Sequence, residues 1–255
     1  MGVRWAMMAE NRSQVEEAER AGFDCVQPTS SYFLSLSNED FAEHKERIRH
    51  HGMPFEVCSV PLPVEVRVTE RGFNLYAWME HLKRALRRLA ELGCSTLTWS
   101  DGRARILPLE GDQTGPKEQV LQFLYVLCGA AEECGMTVLV EPLGPRRTNY
   151  LNTLDEVNGL LPQVGKTNLS AVISLRELAA IGLSTSDFVS YTRLIAHVQM
   201  ENPASPDGAR VCPRPGDGFD YRPFLRALRQ IGYSGVIALP ESSDSSGLSY
   251  CRKIE

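Results

Sequence analysis

The chain has 255 residues, 43% of them hydrophobic and 23% charged, with a formal net charge of −5 at pH 7. That length suits one large α/β domain spanning 1–255, and the acidic balance argues against nucleic acid as the main partner. No run of 18 apolar residues is present, so no membrane span is expected, and the start Met1–Ala6 lacks the apolar segment of a signal peptide, so a cytoplasmic location is expected.

Short apolar runs alternate with helical patterns along the whole sequence. Val3–Met8 reads as the first strand. Asn11–Ala21 follows as a helix, with Val15, Ala18 and Ala21 near helical spacing and Gly22 as its stop. Asp24–Gln27 is the second strand. Ser37-Asn38-Glu39-Asp40 carries capping chemistry and opens a helix that runs to about His51. Pro54–Val60 is the third strand, and Leu75–Leu92 a long amphipathic helix ending at Gly93. Ser95–Trp99 is the fourth strand, and Pro116–Cys134 a helix with proline near its first turn. Met136–Glu141 is the fifth strand, and Thr153 caps a helix over Leu154–Leu161. Leu169–Ile173 is the sixth strand, a helix or two precede Tyr191, and Arg193–Met200 is the seventh strand. Tyr221–Ile231 is a helix before Gly232, and Val236–Leu239 is the eighth strand.

Eight strands with intervening helices predict an α/β fold, a closed (β/α)8 TIM barrel. An open doubly wound sheet is the alternative. It would place a glycine-rich phosphate loop after the first strand, where this chain reads Ala9-Glu10-Asn11-Arg12. The longest irregular segments, Ser100–Gly115 and Glu201–Asp220, both follow strands and so belong on the face where barrels build their sites.

The seven cysteines, Cys25, Cys58, Cys94, Cys128, Cys134, Cys212 and Cys251, are odd in number and form no Cys-x-x-Cys pair. They read as free thiols in a reducing compartment rather than as disulfides or a zinc site. Glu141 stands out. Thr137-Val138-Leu139-Val140 suits a buried strand, leads straight into this carboxylate, and is stopped by Pro142. A charge there needs a partner or a ligand, and the strand-end rim of a barrel is its natural place.

Several segments resemble one family. They are Glu141-Pro142-Leu143 with Thr148-Asn149-Tyr150-Leu151-Asn152-Thr153, Ala21-Gly22-Phe23-Asp24, Ser100-Asp101-Gly102-Arg103-Ala104-Arg105 with Pro108, and Arg214–Tyr221 with Ile231-Gly232-Tyr233-Ser234-Gly235. Together they resemble the sugar phosphate isomerase/epimerase group of the xylose isomerase-like TIM barrels, the superfamily that also holds endonuclease IV and AP endonuclease family 2. The resemblance implies one divalent cation, such as Mn²⁺ or Mg²⁺, held by a Glu, an Asp, a His and a second Glu at four strand ends. Glu141 matches the first. Ser174, Gln199 and Pro240 stand at the other three, with Glu241 one residue late. The family's acid at the end of the second strand is Gln27 here, a second acid of some epimerases is Arg147, and a substrate-contacting His is Glu177. Arg210 is the best match to an arginine that binds substrate hydroxyls. The expectation is therefore a metal site largely lost, no cofactor, and a small sugar or sugar phosphate as partner. The alternative is an active isomerase or epimerase using Glu141 with Glu241 or Glu177 and a divalent metal. The resemblance also allows a homo-oligomer. Phosphodiester cleavage is not expected, because His44, His50, His51 and His81 fall on helices rather than strand ends.

Each candidate carries a plainer reading beside the functional one. Glu141 is either a polar ligand or an ion-pair partner of Arg103, Arg105, Arg146, Arg147 or Arg210. His197 is a hydrogen-bonded interior residue or a base. Glu177 is a first-turn acid serving a helix or a pocket residue. Glu241 is solvated or part of the site. Trp99 is core or an apolar wall for a sugar ring. Several arginines at one mouth favour a phosphorylated or carboxylated sugar, unless they are simply solvated.

Overall fold

The computed structural model describes every residue except Met1, His51, Thr185 and residues 206–208 and 242–245. The expected helix end at His51 therefore lies outside the described residues. Eight short apolar runs form strands: β1 (Arg4–Ala9), β2 (Cys25–Pro28), β3 (Val57–Ser59), β4 (Thr96–Trp99), β5 (Thr137–Val140), β6 (Leu169–Ser174), β7 (Ile195–Gln199) and β8 (Val236–Leu239). They pair in parallel in the order β2-β1-β8-β7-β6-β5-β4-β3. The ends of that sheet meet where Val26 N donates to Pro54 O at 3.1 Å, just ahead of β3. The result is a nearly closed (β/α)8 barrel, not an open doubly wound sheet.

The helices are α1 (Arg12–Ala21), α2 (Ser30–Ser35), α3 (Asn38–Arg49), α4 (Leu75–Glu91), α5 (Thr114–Glu132), α6 (Leu154–Val164), α7 (Leu175–Ala180), α8 (Arg222–Gln230) and α9 (Ser246–Ile254). Their starts follow local chemistry. Asn11, Ser37 and Asn74 each accept a backbone N–H from the first turn, and Thr153 forms a full capping box with Glu156. Such caps contribute about 1 kcal/mol each. Gly22 ends α1 in the left-handed region, φ 80°, where glycine carries no Cβ penalty.

Several boundaries differ from the sequence reading. β3 is Val57–Ser59 rather than Pro54–Val60, because Pro54 and Phe55 spend their backbone groups on Val26 and Leu92 rather than on a ladder. α6 runs through Pro162 to Val164, since a proline near the helix end forfeits only one hydrogen bond while Leu160 and Val164 stay buried. α2, which is only six residues long, and α9 were not expected from the sequence. A bulge near Ala196 shifts the β6–β7 register, pairing Ala171 with Ile195 but Val172 with His197.

Alternation along the strands builds two cores. Outward residues such as Trp5, Leu97, Val138, Ile173 and Val198 pack against the helices in one large cluster. Inward residues Ala6, Met8, Cys25, Val57, Val236 and Ala238 form a separate apolar plug inside the barrel.

Candidate functional site

Above that plug the interior becomes polar. β4 alternates Thr96-Leu97-Thr98-Trp99-Ser100, so Thr98 and Ser100 face inward while Leu97 and Trp99 pack outward. Glu141 follows β5, Ser174 ends β6, Gln199 ends β7 and Pro240 follows β8, so the strand ends the sequence singled out form one ring. A cleft of about 940 Å³ opens over this ring. Thr98, Ser100 and Gln199 line it from below, with Arg103, Arg146, Arg147, Arg210 and Glu241 around its walls.

Glu141 is 2% exposed, and its Oε2 has no hydrogen-bond partner among the described residues. Burial pushes its carboxyl up to about 7, Glu177 adds to the rise, and the Ser100 hydroxyl, Arg147 and Arg210 oppose it. Three of the arginines proposed as its partners bond elsewhere. Arg105, in the 3-10 turn Arg103–Arg105, donates to the backbone carbonyl of Glu141 rather than to its carboxylate. Arg147 Nη1 donates to Glu177 Oε1 at 3.1 Å, and Arg210 Nη1 lies 2.9 Å from Met8 Sδ. Arg103 is exposed on the cleft wall, its backbone N–H bonded to Asp101 Oδ1 at 2.9 Å.

Arg105, one of the expected ion-pair partners of the Glu141 carboxylate, holds that residue's backbone instead. It is fully buried, its guanidinium lies 5.4 Å from the Trp99 ring, and its Nε and Nη1 are unpartnered. Burial lowers its pKa to about 10, with the charge of Glu141 pulling it back up. Trp99 itself is buried against Phe123 of α5, ring centroids 5.4 Å apart, and reaches the cleft only at its edge.

Glu177 sits in the first turn of α7 and spends both carboxylate oxygens. Oε2 accepts from Gly144 N at 2.8 Å and Oε1 from Arg147. Ser174 Oγ caps the same helix by accepting from Glu177 N at 3.4 Å. Glu177 thus clamps the loop after β5 to α7. Gly102 tightens that region further, since a Cβ there would meet Arg147 O at 2.6 Å. Asn149 pins the loops after β4 and β5 together, its side chain bonding Leu107 N at 2.8 Å and Leu107 O at 2.9 Å.

His197 lies below the ring, its Nε2 2.8 Å from Gln27 Oε1. Burial drives its pKa down to about 3, so it is neutral at pH 7, although the Val236 carbonyl favours the charged form. Glu241 is exposed at the rim, beside buried Pro240. The loop after β7 is organised by Asp217, which accepts from Arg214 N at 3.0 Å, Phe219 N at 3.1 Å and the Tyr221 hydroxyl at 2.5 Å. The motif around it therefore folds a loop.

Among the described residues, three buried polar atoms of side chains that line the cleft floor lack partners, Thr98 Oγ1, Ser100 Oγ and Gln199 Oε1, and Glu141 Oε2, which does not line it, lacks one as well. Glu141 and Gln199 were singled out in the sequence, whereas Thr98 and Ser100 were missed, and the period-2 polar face of β4 is the signal that carries them. An unsatisfied buried polar atom costs about 1–3 kcal/mol, so a cluster of them beneath an open cleft is a poised surface for a ligand's hydroxyls or for water.

The family model for the xylose isomerase-like TIM barrel matches residues 15–249. No curated protein matches the sequence. Among solved structures, a D-psicose 3-epimerase superposes with a TM-score of 0.78 at 16% identity, covering 96% of this chain and 88% of that one. A 3-keto-D-glucoside 4-epimerase from E. coli gives 0.77 at 17% identity over 98% and 99%. An AP endonuclease, family 2, from Brucella melitensis gives 0.77 at 19% identity over 98% of each chain. At such identities the likeness speaks for the fold. With the family model spanning nearly the whole chain, the protein belongs to the xylose isomerase-like TIM barrel family.

Proposed function

We propose that this protein binds a small sugar or sugar phosphate at the mouth of its barrel, and that the divalent-metal site of its relatives is largely lost. The observation that carries the reading is a cleft floor on which Thr98 Oγ1, Ser100 Oγ and Gln199 Oε1 have no partners among the described residues, beneath walls that carry Arg103, Arg146, Arg147 and Arg210. Hydroxyls of a polyol would satisfy those atoms, and guanidinium groups suit a phosphate or carboxylate. Epimerases of sugars among the structural neighbours are in keeping with this ligand class.

The donor set argues against a resident metal. Glu141 is the one carboxylate among the four strand-end positions. Ser174 is committed to capping α7, Gln199 offers a neutral amide oxygen, and Pro240 has no side-chain donor. Among the described residues no three His, Cys, Asp or Glu side chains gather as a metal cluster. Hard cations are held mainly by anionic oxygens, so these residues do not fit Mn²⁺ or Mg²⁺.

A second reading keeps isomerase or epimerase activity. It is favoured by the Glu141 carboxyl, whose pKa of about 7 suits proton exchange near neutrality. Glu241, on the cleft wall, is then the partner acid rather than Glu177, whose oxygens are both engaged.

The test is thermal unfolding of EDTA-treated protein with sugar phosphates, alongside metal analysis with and without added Mn²⁺. Stabilisation by sugar phosphate in EDTA is the expected result. Stoichiometric metal that disappears in Glu141→Ala would overturn the metal-free reading and favour the second.

A further inference from the structure

Six large apolar side chains are exposed among the described residues, and three of them, Leu34, Val64 and Ile106, lie on the wall of this one cleft. They are 40%, 58% and 42% exposed. Leu34 belongs to α2 after β2, Val64 to the loop after β3, and Ile106 to the loop after β4. Leu62, which is buried, also lines the cleft. Arg146 and Arg147 follow β5, and Arg210 follows β7. The cleft is thus divided around the barrel. Over β2–β4 it offers these exposed aliphatic side chains, interspersed with Glu65, Asp101 and Arg103, and over β5–β7 it offers guanidinium groups, with the polar floor between them.

Exposed apolar side chains scattered singly need no explanation, but clustering within a cleft marks a binding wall. Size points the same way. About 940 Å³ is near the top of the roughly 300–1,000 Å³ range that holds drug-sized ligands, and a single sugar leaves much of it unfilled.

We infer that the ligand is an anionic sugar derivative bearing an apolar substituent, an aryl or alkyl glycoside, with the substituent seated on Leu34, Val64 and Ile106. This inference rests on the reading that a sugar phosphate occupies the mouth. The polar floor takes the ring hydroxyls, the arginine side takes the anion, and the aliphatic wall removes the substituent from water. The complementarity of the two walls favours one amphipathic ligand over a second copy of the chain.

The test compares hexose 6-phosphates with their 4-nitrophenyl glycosides by calorimetric titration. The aryl glycosides bind at least tenfold more tightly than the parent sugars. Val64→Ser and Ile106→Ser bring that ratio close to one, whereas Val64→Leu preserves it. Unfolding curves confirm that each variant is folded. If the parent phosphates bind and the aryl group adds nothing, this inference fails while the sugar-phosphate reading stands. If neither series binds, both fail. If sedimentation shows a dimer that Val64→Ser dissociates, with no change in the ratio, the wall is an interface between copies and the inference is overturned.

Discussion

The two ends of the barrel interior draw on different strands, β1, β2, β3 and β8 below and β4, β5 and β7 above, and obey opposite rules. At the lower end Ala6, Cys25, Val57, Val236 and Ala238 close a plug without a polar atom to satisfy beyond the backbone and a thiol. At the upper end Thr98, Ser100, Glu141 and Gln199 leave four buried polar atoms without partners. One end is arranged for stability. The other gives up stability, and in a parallel barrel that loss falls on the end where sites are assembled.

Mutation separates the two ends. The largest effect is expected at Glu141. Its pKa in the folded chain is about 7 against an ordinary 4.5, so the ionised form is the disfavoured one. A raised folded-state value means that stability is fully present below about pH 4.5 and is lost as pH rises through about 7. That loss amounts to about 3 kcal/mol. Glu141→Gln removes it, so the variant is more stable than the parent at pH 8.5, and its advantage shrinks by about 2 kcal/mol at pH 5.5. Urea midpoints at the two pH values read this directly, and parallel curves would refute it.

The plug responds in the other direction. Val57→Ala deletes buried apolar surface and destabilises by about 2 kcal/mol at any pH in that range. A cost indistinguishable from zero would mean that the lower interior is loosely packed. The smallest effect is at Thr98. Thr98→Val keeps the shape and removes an unpartnered hydroxyl, so it stabilises by about 1 kcal/mol while weakening ligand binding. Destabilisation there would mean that the hydroxyl is satisfied in solution and the contrast between the ends is weaker than drawn.

The division between ends also explains what was legible in the sequence. Strand and helix alternation exposed the barrel, because each run carries its own period and its own caps, as Asn11, Ser37 and Thr153 illustrate. The position of Glu141 followed from its own strand, and those of Ser174, Gln199 and Pro240 followed from the family resemblance. Contacts between distant segments did not. Glu177 reads locally as a first-turn acid, and it is one, but its hold on Gly144 and Arg147 joins residues about thirty apart. Arg105 reads as a loop arginine that either pairs with Glu141 or stays solvated, and only tertiary packing against Trp99 and the Glu141 carbonyl makes it fully buried. α2, six residues long, was too short for a helical period to register.

The central claim is that the upper interior meets a sugar through its own polar atoms rather than through an ion. A crystal structure grown with a hexose 6-phosphate and excess Mn²⁺ tests it most directly. The account predicts sugar hydroxyls within hydrogen-bonding distance of Glu141 Oε2 and Gln199 Oε1, with no metal between them. A Mn²⁺ ion coordinated by Glu141 and three further side chains would contradict it.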